Sequence, residues 1–286
     1  MDKELLLQRA KLQTLILCEV RYNHNHGKNG RFTFSDGTSG GRVTFKKRIA
    51  KEAEKVQSRL SNEAKPFQKE AVSMEDVKDR GKLSDKEAEE CVRLAEGVFD
   101  EAASKEPTIT RDVIASAEEA GGQMYGLDYR MKQPTSMAGK IGADARDEGK
   151  SFEETAENIK DAVRYTVVLP ENGFTSGYET IRRSMESRGY TEVRCKNFFQ
   201  RFKEGKSDQK AVQCVYADSS GFTFEFQFHT AASQGAKEIN HPLYEKQRKA
   251  TTKAKTKATL SKIMNKNGTY VPNPVGVMNI KDHSKP

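Results

Sequence analysis

Residues 221–248, GFTFEFQFHTAASQGAKEINHPLYEKQR, decide how the rest of the sequence is interpreted. In the first part of this stretch phenylalanines alternate with polar residues, in the order Phe222, Thr223, Phe224, Glu225, Phe226, Gln227, Phe228 and His229. Because successive side chains of a strand point to opposite faces, this period of two predicts a strand with one buried, aromatic face. The other face presents a carboxylate, an amide and an imidazole in a row. Surface strands more often carry Thr, Lys and Ser there, so the polar row indicates a functional face.

The second part of the stretch has the pattern of a helix. Four side chains follow one another at spacings of four, three and four residues, which places them on one helix face: Lys237, His241, Tyr244 and Arg248. The strand and the helix together offer acidic, amide and basic groups, a combination that suits a phosphate and metal site. The alternative interpretation is a solvated strand face followed by an ordinary charged helix.

The composition of the 286-residue chain limits how much of it can pack into a core. Hydrophobic residues make up 35%, charged residues 31%, and the mean hydropathy is −0.81. These values predict one large or two small domains. No apolar run approaches the roughly 20 residues that span a bilayer. The N-terminal segment LLLQRAKLQTLIL is interrupted by basic residues, so neither a membrane span nor a signal peptide is expected.

The cysteines and the charge distribution predict a cytoplasmic protein with a basic tail. The four cysteines show no CxxC and no zinc-ligand spacing, and we interpret them as reduced thiols: Cys18, Cys91, Cys195 and Cys214. Most of the net charge of +8 lies in residues 251–286, where seven basic residues face one acidic residue. Such a tail can attract a polyanion. Short Lys-rich termini are common, however, so the tail alone does not predict nucleic-acid binding.

The sequence divides into four regions. Residues 1–46 are expected to form an N-terminal helix and a flexible linker, in which a metal site at His24 and His26 is the less favoured interpretation. Residues 47–107 form a charged helical region, in which Ser84 and Glu87 have the spacing of a capping box and Pro107 is expected to end the helix. Residues 108–250 are expected to form the domain that carries the chemistry, and residues 251–286 a mobile basic tail.

The pattern within residues 108–250 predicts an α+β fold with a mixed four- to five-stranded sheet flanked by helices. Helices are expected from Thr110 to Ala120, from a capping box at Ser151, from Ser176 to Gly189, and after Thr230 through Lys249. Strands are expected at residues 162–169, 191–198, 211–217 and 222–230. Function is expected where the last strand meets the last helix.

A second cluster of basic residues precedes the first strand. The segment RMKQPTSMAGK has the spacing R-x-K-x3-S-x3-K, formed by Arg130, Lys132, Ser136 and Lys140. These groups can bind a triphosphate, with the arginine as a fork and the lysines as point charges. Because Lys and Arg are frequent in this chain, the segment gains meaning only together with E-x-Q-x-H-T at residues 225–230 and with His241.

Taken together and in this order, these motifs resemble the synthetase domain of the RelA/SpoT family, the nucleotide pyrophosphokinases that make alarmones. The resemblance covers residues 122–250, roughly half of the chain. The sequence is also similar to the toxin branch of the family, which pyrophosphorylates adenine nucleotides or the 3′ end of tRNA, and to copies carried by phages. The implied fold is that of a RelA/SpoT synthetase, which is nucleotidyltransferase-like.

The resemblance implies transfer of the β,γ-pyrophosphate of ATP to a ribose hydroxyl. It places Arg130, Lys132, Ser136 and Lys140 on the ATP phosphates and Asp161 and Glu225 on Mg²⁺, with Glu225 also activating the acceptor hydroxyl. It also makes Arg164 and His241 catalytic residues, which would balance the charge on the transferred group. The remaining nucleotide contacts fall on Gln227, His229, Lys237 and Arg248.

The chain departs from the family pattern at three places. Asp161 and Arg164 are three positions apart, where the family has five, and the glycine between them is missing. His229 stands where the family has arginine, which makes it a weaker and pH-sensitive cation. The tyrosine segment that stacks the acceptor guanine has no counterpart between Asn197 and Val215. No His-Asp hydrolase motif is visible, so synthesis without hydrolysis is expected.

Two functions of different classes follow from this. The favoured one is a pyrophosphokinase with ATP and Mg²⁺ as cofactors, a nucleotide or tRNA acceptor, and a toxic action that implies a neutralising antitoxin. The alternative is a phage-associated accessory or structural protein whose RelA/SpoT-like fold has lost activity. In either case we expect a cytoplasmic protein, bacterial or phage-encoded, without a membrane partner. Small members of the family assemble, so a homo-oligomer is also implied.

Overall fold

A mixed β-sheet of six strands lies at the centre of the part of the chain that the structure describes. The structure is a computed structural model and describes residues 39–248 and 252–284, with side chains from residue 45 to 247 and from 252 to 284. Its strands are β1 (Gln123–Met124), β2 (Arg164–Val168), β3 (Thr191–Asn197), β4 (Val212–Ala217), β5 (Thr223–His229) and β6 (His283–Ser284). The predicted α+β class is confirmed. The sheet has two more strands, β1 and β6, than the sequence predicts, because strands of two residues are too short to show a period.

The strands lie in the order β1-β2-β5-β4-β3-β6. β2 and β5 run parallel, and all the other neighbouring pairs are antiparallel. The register places Arg164 beside Glu225 and Gln213 beside Gln227. Since side chains alternate between the faces of a sheet, the polar residues of β2, β4 and β5 share one face.

The described helices are α1 (Ser39–Gln57), α2 (Met74–Gly81), α3 (Asp85–Glu119), α4 (Pro134–Glu148), α5 (Phe152–Glu157), α6 (Phe174–Ser187), α7 (Phe198–Lys203), α8 (Ala231–Arg248) and α9 (Ala254–Gly268). Both predicted capping boxes are present, at Ser84 with Glu87 and at Ser151 with Glu154. α6 begins at Phe174, two residues before the predicted Ser176, because the chain enters it directly from a short 3-10 turn. The predicted N-terminal helix, the linker as far as residue 38, and His24 and His26 lie outside the described residues, whereas residues 39–46, which were predicted as linker, belong to α1.

Helix α3 continues through Pro107, and the prediction that this proline ends the helix is wrong. A proline inside a helix removes one hydrogen bond and costs about 3 kcal/mol. Buried apolar residues on both sides of it offset that cost: Ala95, Phe99, Ala102, Ile109, Val113 and Ala117. α3 therefore joins the region predicted as a helical arm to the region predicted as the catalytic domain.

The aromatic face of β5 forms the core, as its alternation predicts. Phe224, Phe226 and Phe228 are fully buried. Tyr165 of β2 meets the ring of Phe224 edge-on at 6.0 Å between centroids, and Tyr178 of α6 meets Phe228 in the same way at 5.1 Å. Edge-to-face pairs add about 0.5–1.5 kcal/mol each beyond the area they bury. The aromatic side of the sheet is therefore a packed structural core.

The tail was predicted to be mobile, but its described part, residues 252–284, is folded. Residues 254–268 form α9, which packs against α8, and Leu260, Met264 and Val271 are buried. The chain then crosses to the edge of the sheet, where β6 pairs with β3. The apolar residues of this segment are few, and sequence alone does not show the surface that they cover. None of the described helices is long and apolar enough to span a membrane.

Candidate active site

A cleft of about 1420 Å³ lies over the polar face of the sheet. Its floor carries polar side chains of β2, β4 and β5, and its walls come from α4, α8, α9 and the segment around residues 65–70. The cleft collects nine of the predicted site residues: Lys132, Ser136, Lys140, Asp161, Arg164, Gln227, His229, Lys237 and His241. Glu225 is not part of the lining, but it lies beside Arg164 in the sheet and hydrogen-bonds to Gln213 and Gln227, which all line the cleft.

Asp161 is held between two lysines of the predicted phosphate motif. Lys132 Nζ donates to its Oδ2 at 2.7 Å and Lys140 Nζ to its Oδ1 at 2.8 Å. A backbone bond from Lys132 N to Ala162 O, 2.9 Å long, brings the two segments together. Burial acts to raise the pKa of Asp161, but the two ammonium groups outweigh it and hold that pKa below its ordinary value. Asp161 is therefore an ionised carboxylate at the centre of a cationic wall.

Glu225 and Gln227 form a connected polar chain with their neighbours. Glu225 is only 6% exposed, and its carboxylate accepts hydrogen bonds from the side-chain amides of Gln213 and Gln227. The oxygen of Gln227 in turn accepts a hydrogen bond from Lys237 Nζ of α8. Burial, with a further contribution from the charge of Arg164, lowers the pKa of Lys237 to about 8. One series of hydrogen bonds thus connects the Glu225 carboxylate with an ammonium group that loses its proton more easily than an ordinary lysine.

Thr230 directly precedes α8 and sets the direction in which this helix leaves the sheet. Its Oγ1 accepts from Ser233 N at 3.1 Å, and its own N–H donates to Ser233 Oγ at 2.9 Å. This reciprocal pair fixes the angle at which the helix leaves β5. Lys237 and His241, one turn apart, then line the same cleft, as their spacing predicts.

His229 is not the cation that its place in the motif predicts. The ring is buried, and its Nδ1 lies 2.9 Å from Ser233 Oγ. Burial, and then the charge of Lys237, hold the pKa of His229 well below its ordinary value. The imidazole is therefore neutral, and it contributes a hydrogen-bonding group where a positive charge was predicted.

Arg130 is likewise not part of the cleft lining, which corrects its predicted phosphate-binding role. The residue is 4% exposed, and its guanidinium donates to Glu106, to Leu127 O at 2.8 Å and to Lys65 O at 2.9 Å. All of its side-chain nitrogens therefore have structural partners. Arg164, whose N–H donates to Arg130 O at 2.8 Å, is exposed and lines the cleft. Arg248 is the last residue of α8 and lies outside the described side chains.

The cleft also contains residues that the sequence did not single out. Tyr129 lines it with 82% of its surface exposed, Lys210 and Asp144 line it as well, and Gln213 of β4 belongs to its floor. Gln213 could have been found by its register opposite Gln227, once the strands were aligned. No pattern marks Tyr129, although it directly precedes the R-x-K segment.

Chemically, the cleft can bind a polyanion. Several lysines and Arg164 line it, and the Asp161 carboxylate among them offers oxygen ligands suited to a divalent cation. These features together describe an α+β protein with a lysine-rich cleft beside a parallel strand pair and the following helix.

No protein-family model and no curated protein matches the chain. Among solved structures, a chain from the crystal structure of the complex between the Type VI effector Tas1 and its immunity protein is similar, with a TM-score of 0.40 and 13% sequence identity. The match covers 62% of this chain and 95% of that chain. A likeness at this level assigns neither a family nor a function.

Proposed function

We propose that the protein is an ATP-dependent pyrophosphokinase that transfers the β,γ-pyrophosphate of ATP to a ribose hydroxyl of a nucleotide or of a tRNA 3′ end. The observation that carries the proposal is the ion pair of Asp161 with Lys132 and Lys140 on the wall of the cleft. The motif that resembles the RelA/SpoT family supplies both lysines, and its candidate metal carboxylate lies between them.

The lysines are well placed to receive phosphates. In the absence of a ligand Asp161 accepts a hydrogen bond from each ammonium group, so both partly buried cations are paired while the three groups keep a net charge of about +1. ATP phosphates can take over the lysines and leave Asp161 free to bind a cation. Ser136 lies one helical turn before Lys140 on α4, and its hydroxyl can donate to the same phosphates.

The residues present fit Mg²⁺. Magnesium is usually bound by one or two carboxylates with substrate phosphates and water completing its shell. Asp161 and Glu225 are the two carboxylates that would hold it, and both are positioned by lysine or amide partners. When bound, the ion would neutralise charge on the phosphate oxygens.

The transfer itself conserves atoms and charge through groups of this chain. The ribose hydroxyl oxygen forms a bond to the β-phosphorus of ATP, and the bond from that phosphorus to the α,β-bridging oxygen breaks. AMP leaves with the electron pair, and the hydroxyl proton passes to the Glu225 carboxylate. Arg164 and Lys237 stabilise the charge that develops on the transferred group, since fixed cations in a cleft act without reorganisation.

The acceptor is the open part of the proposal. Tyr129 offers an exposed ring on which a base can stack. Exposed lysines of α9, Lys255 and Lys262, lie on the helix whose Met264 lines the cleft, and they can attract the phosphates of a tRNA. Depletion of a nucleotide pool or blockage of tRNA ends would be toxic in the cytoplasm, and we therefore propose a neutralising antitoxin as partner.

The test is thin-layer chromatography of γ-³²P-ATP with Mg²⁺ and separate acceptors, namely GTP, GDP, ATP, AMP and bulk tRNA. Wild type should move label onto one acceptor, and Glu225→Gln should not. Glu148→Gln, an exposed carboxylate of α4 outside the cleft, is the matched control and should act as wild type. No transfer to any acceptor by folded protein would favour the alternative, an accessory protein with an inactive fold.

A further inference from the structure

A second cluster of reactive side chains lies on the opposite face of the sheet from the cleft. We propose that Glu192, Cys195, Cys214 and His283 bind a zinc ion. This site is separate from the proposed nucleotide chemistry, and it stands or falls independently of it.

Three of the ligands are buried and already close together. One ligand atom of each of Glu192, Cys195 and Cys214 lies within 4.8 Å of the others. The two cysteines face each other directly across the antiparallel pair β3 and β4. Ligand atoms around a tetrahedral zinc ion lie about 3.3–3.8 Å apart, given bond lengths near 2.0–2.3 Å. Side-chain rotations that move these ligand atoms by about an ångström would therefore bring them to the distances that zinc requires.

The fourth ligand is delivered by the C-terminal segment. His283 of β6 pairs with Cys195 in the sheet, and its Nε2 lies 3.3 Å from Glu192 Oε1. Asn197 fixes this segment, since its Nδ2 donates to Val277 O at 2.7 Å and to Ile280 O at 2.9 Å. The imidazole is thus held beside the carboxylate. Because the ligand atoms that already converge are those of Glu192, Cys195 and Cys214, the ring has to turn from the carboxylate toward the thiols to complete the shell.

Glu192 is an unusual residue in this place. It is buried on the aromatic side of the sheet, where its carboxylate meets the hydroxyls of Tyr178 and Tyr216, the imidazole of His283 and the thiol of Cys214. Burial of a carboxylate is costly unless a cation accompanies it. Zinc would supply that cation, and the two tyrosine hydroxyls would then orient the ligand by hydrogen bonds, as outer groups commonly do at metal sites.

The donor set selects the metal. Two thiolates, one imidazole and one carboxylate are the ligands of tetrahedral zinc, and they do not suit Mg²⁺ or Ca²⁺, which take oxygen ligands. Four protein ligands close the shell, which is the arrangement of a structural site. A shallow cleft of about 440 Å³, lined by Glu192 and His283, gives the ion a route to the site. The bound ion would fasten β6 to β3.

The experiment measures the metal content of full-length protein loaded with zinc in the presence of excess Mg²⁺ and then dialysed. Wild type should retain one zinc ion per chain, and Cys195→Ser/Cys214→Ser should retain none. Cys91→Ser removes a buried cysteine of α3 outside the cluster and should match wild type. His24→Ala/His26→Ala should also match wild type, which separates this site from the N-terminal histidines.

Two further measurements keep the proposal falsifiable if the double cysteine variant fails to fold. His283 is 37% exposed on a short edge strand, and His283→Ala should fold and weaken zinc binding about tenfold or more. Co²⁺-loaded wild type should show the thiolate-to-cobalt charge-transfer absorption. Wild type that holds no zinc, unchanged retention in the cysteine variant, a cobalt complex without thiolate absorption, or a Cys195–Cys214 disulfide in native protein would each overturn it.

Discussion

The two faces of β5 carry side chains of opposite character within a single strand. Phe224, Phe226 and Phe228 pack into a core of aromatic rings, while Glu225 and Gln227 on the other face form a polar chain that ends at Lys237. Both faces are buried. The first needs nothing further to be stable, because apolar packing is complete in itself. The second buries charge, which is stabilising only when a partner or a ligand neutralises it.

Two neighbouring arginines repeat the contrast on a smaller scale. Arg130 and Arg164 are joined by a backbone hydrogen bond, yet one is buried against Glu106 and the other is exposed in the cleft. The difference shows that two neighbouring basic residues can have separate surroundings, one buried within the fold and one open to a ligand. Substitutions on the structural side should change stability, and those on the cleft side should change ligand binding.

The largest effect on stability is expected from the core face. Phe226→Ala should lower the free energy of unfolding by about 3–5 kcal/mol, because it leaves a cavity among packed rings. Glu225→Gln, the adjacent residue on the cleft face, should change that free energy far less while abolishing transfer. Urea denaturation followed by circular dichroism measures both. Equal losses of stability in the two variants would contradict the division between the faces.

A somewhat smaller loss is expected at Arg130. Arg130→Met should destabilise the protein by about 3 kcal/mol, because it leaves the Glu106 carboxylate buried without its partner. Arg164→Met should stay within about 0.5 kcal/mol of wild type, as exposed residues usually do. The same denaturation experiment, with ATP affinity measured by calorimetry, compares them. If Arg130→Met loses ATP affinity at full stability, Arg130 belongs to the cleft after all.

Lys237 should make both ATP affinity and the free energy of unfolding depend on pH. Its pKa of about 8 means that the cation is present below pH 8 and lost above it, so ATP affinity should fall as pH rises through 8. Between 8 and the ordinary value of 10.5 the unfolded chain binds a proton that the folded chain does not, and this group then makes stability rise with pH. Lys237→Met should remove both slopes and stabilise the protein at pH 7 by about 1 kcal/mol. Calorimetric titrations from pH 6.5 to 9.5 test this, and an unchanged affinity slope in the variant would count against Lys237 as the phosphate-binding cation.

The smallest change in stability is expected at Tyr129. Because its ring is largely exposed, Tyr129→Ala should alter the free energy of unfolding by less than about 0.5 kcal/mol. Loss of a stacked base should weaken nucleotide binding by about 1–3 kcal/mol, and Tyr129→Phe should restore it. Calorimetry with ATP and with inorganic triphosphate separates base from phosphate. A loss of equal size for both ligands would mean that Tyr129 does not contact the base.

Local patterns in the sequence determined much of this molecule. The alternation of β5 predicts both of its faces, the capping boxes at Ser84 and Ser151 predict where two helices begin, and spacing predicts that Lys237 and His241 share a helix face. These features were predictable because each depends on the periodicity of one element and on neighbours within a few residues.

Only the tertiary structure decided the state of the charged groups. Arg130 pairs with Glu106, which directly precedes the proline that was expected to end α3. His229 becomes neutral when it is buried beside α8, and the basic tail folds along α8. Each outcome depends on which distant segment covers the side chain, because desolvation and pairing, and not residue type, set whether a buried group carries charge. A sequence motif therefore predicts which groups come together, while the packing around each group determines whether it is charged and what it can bind.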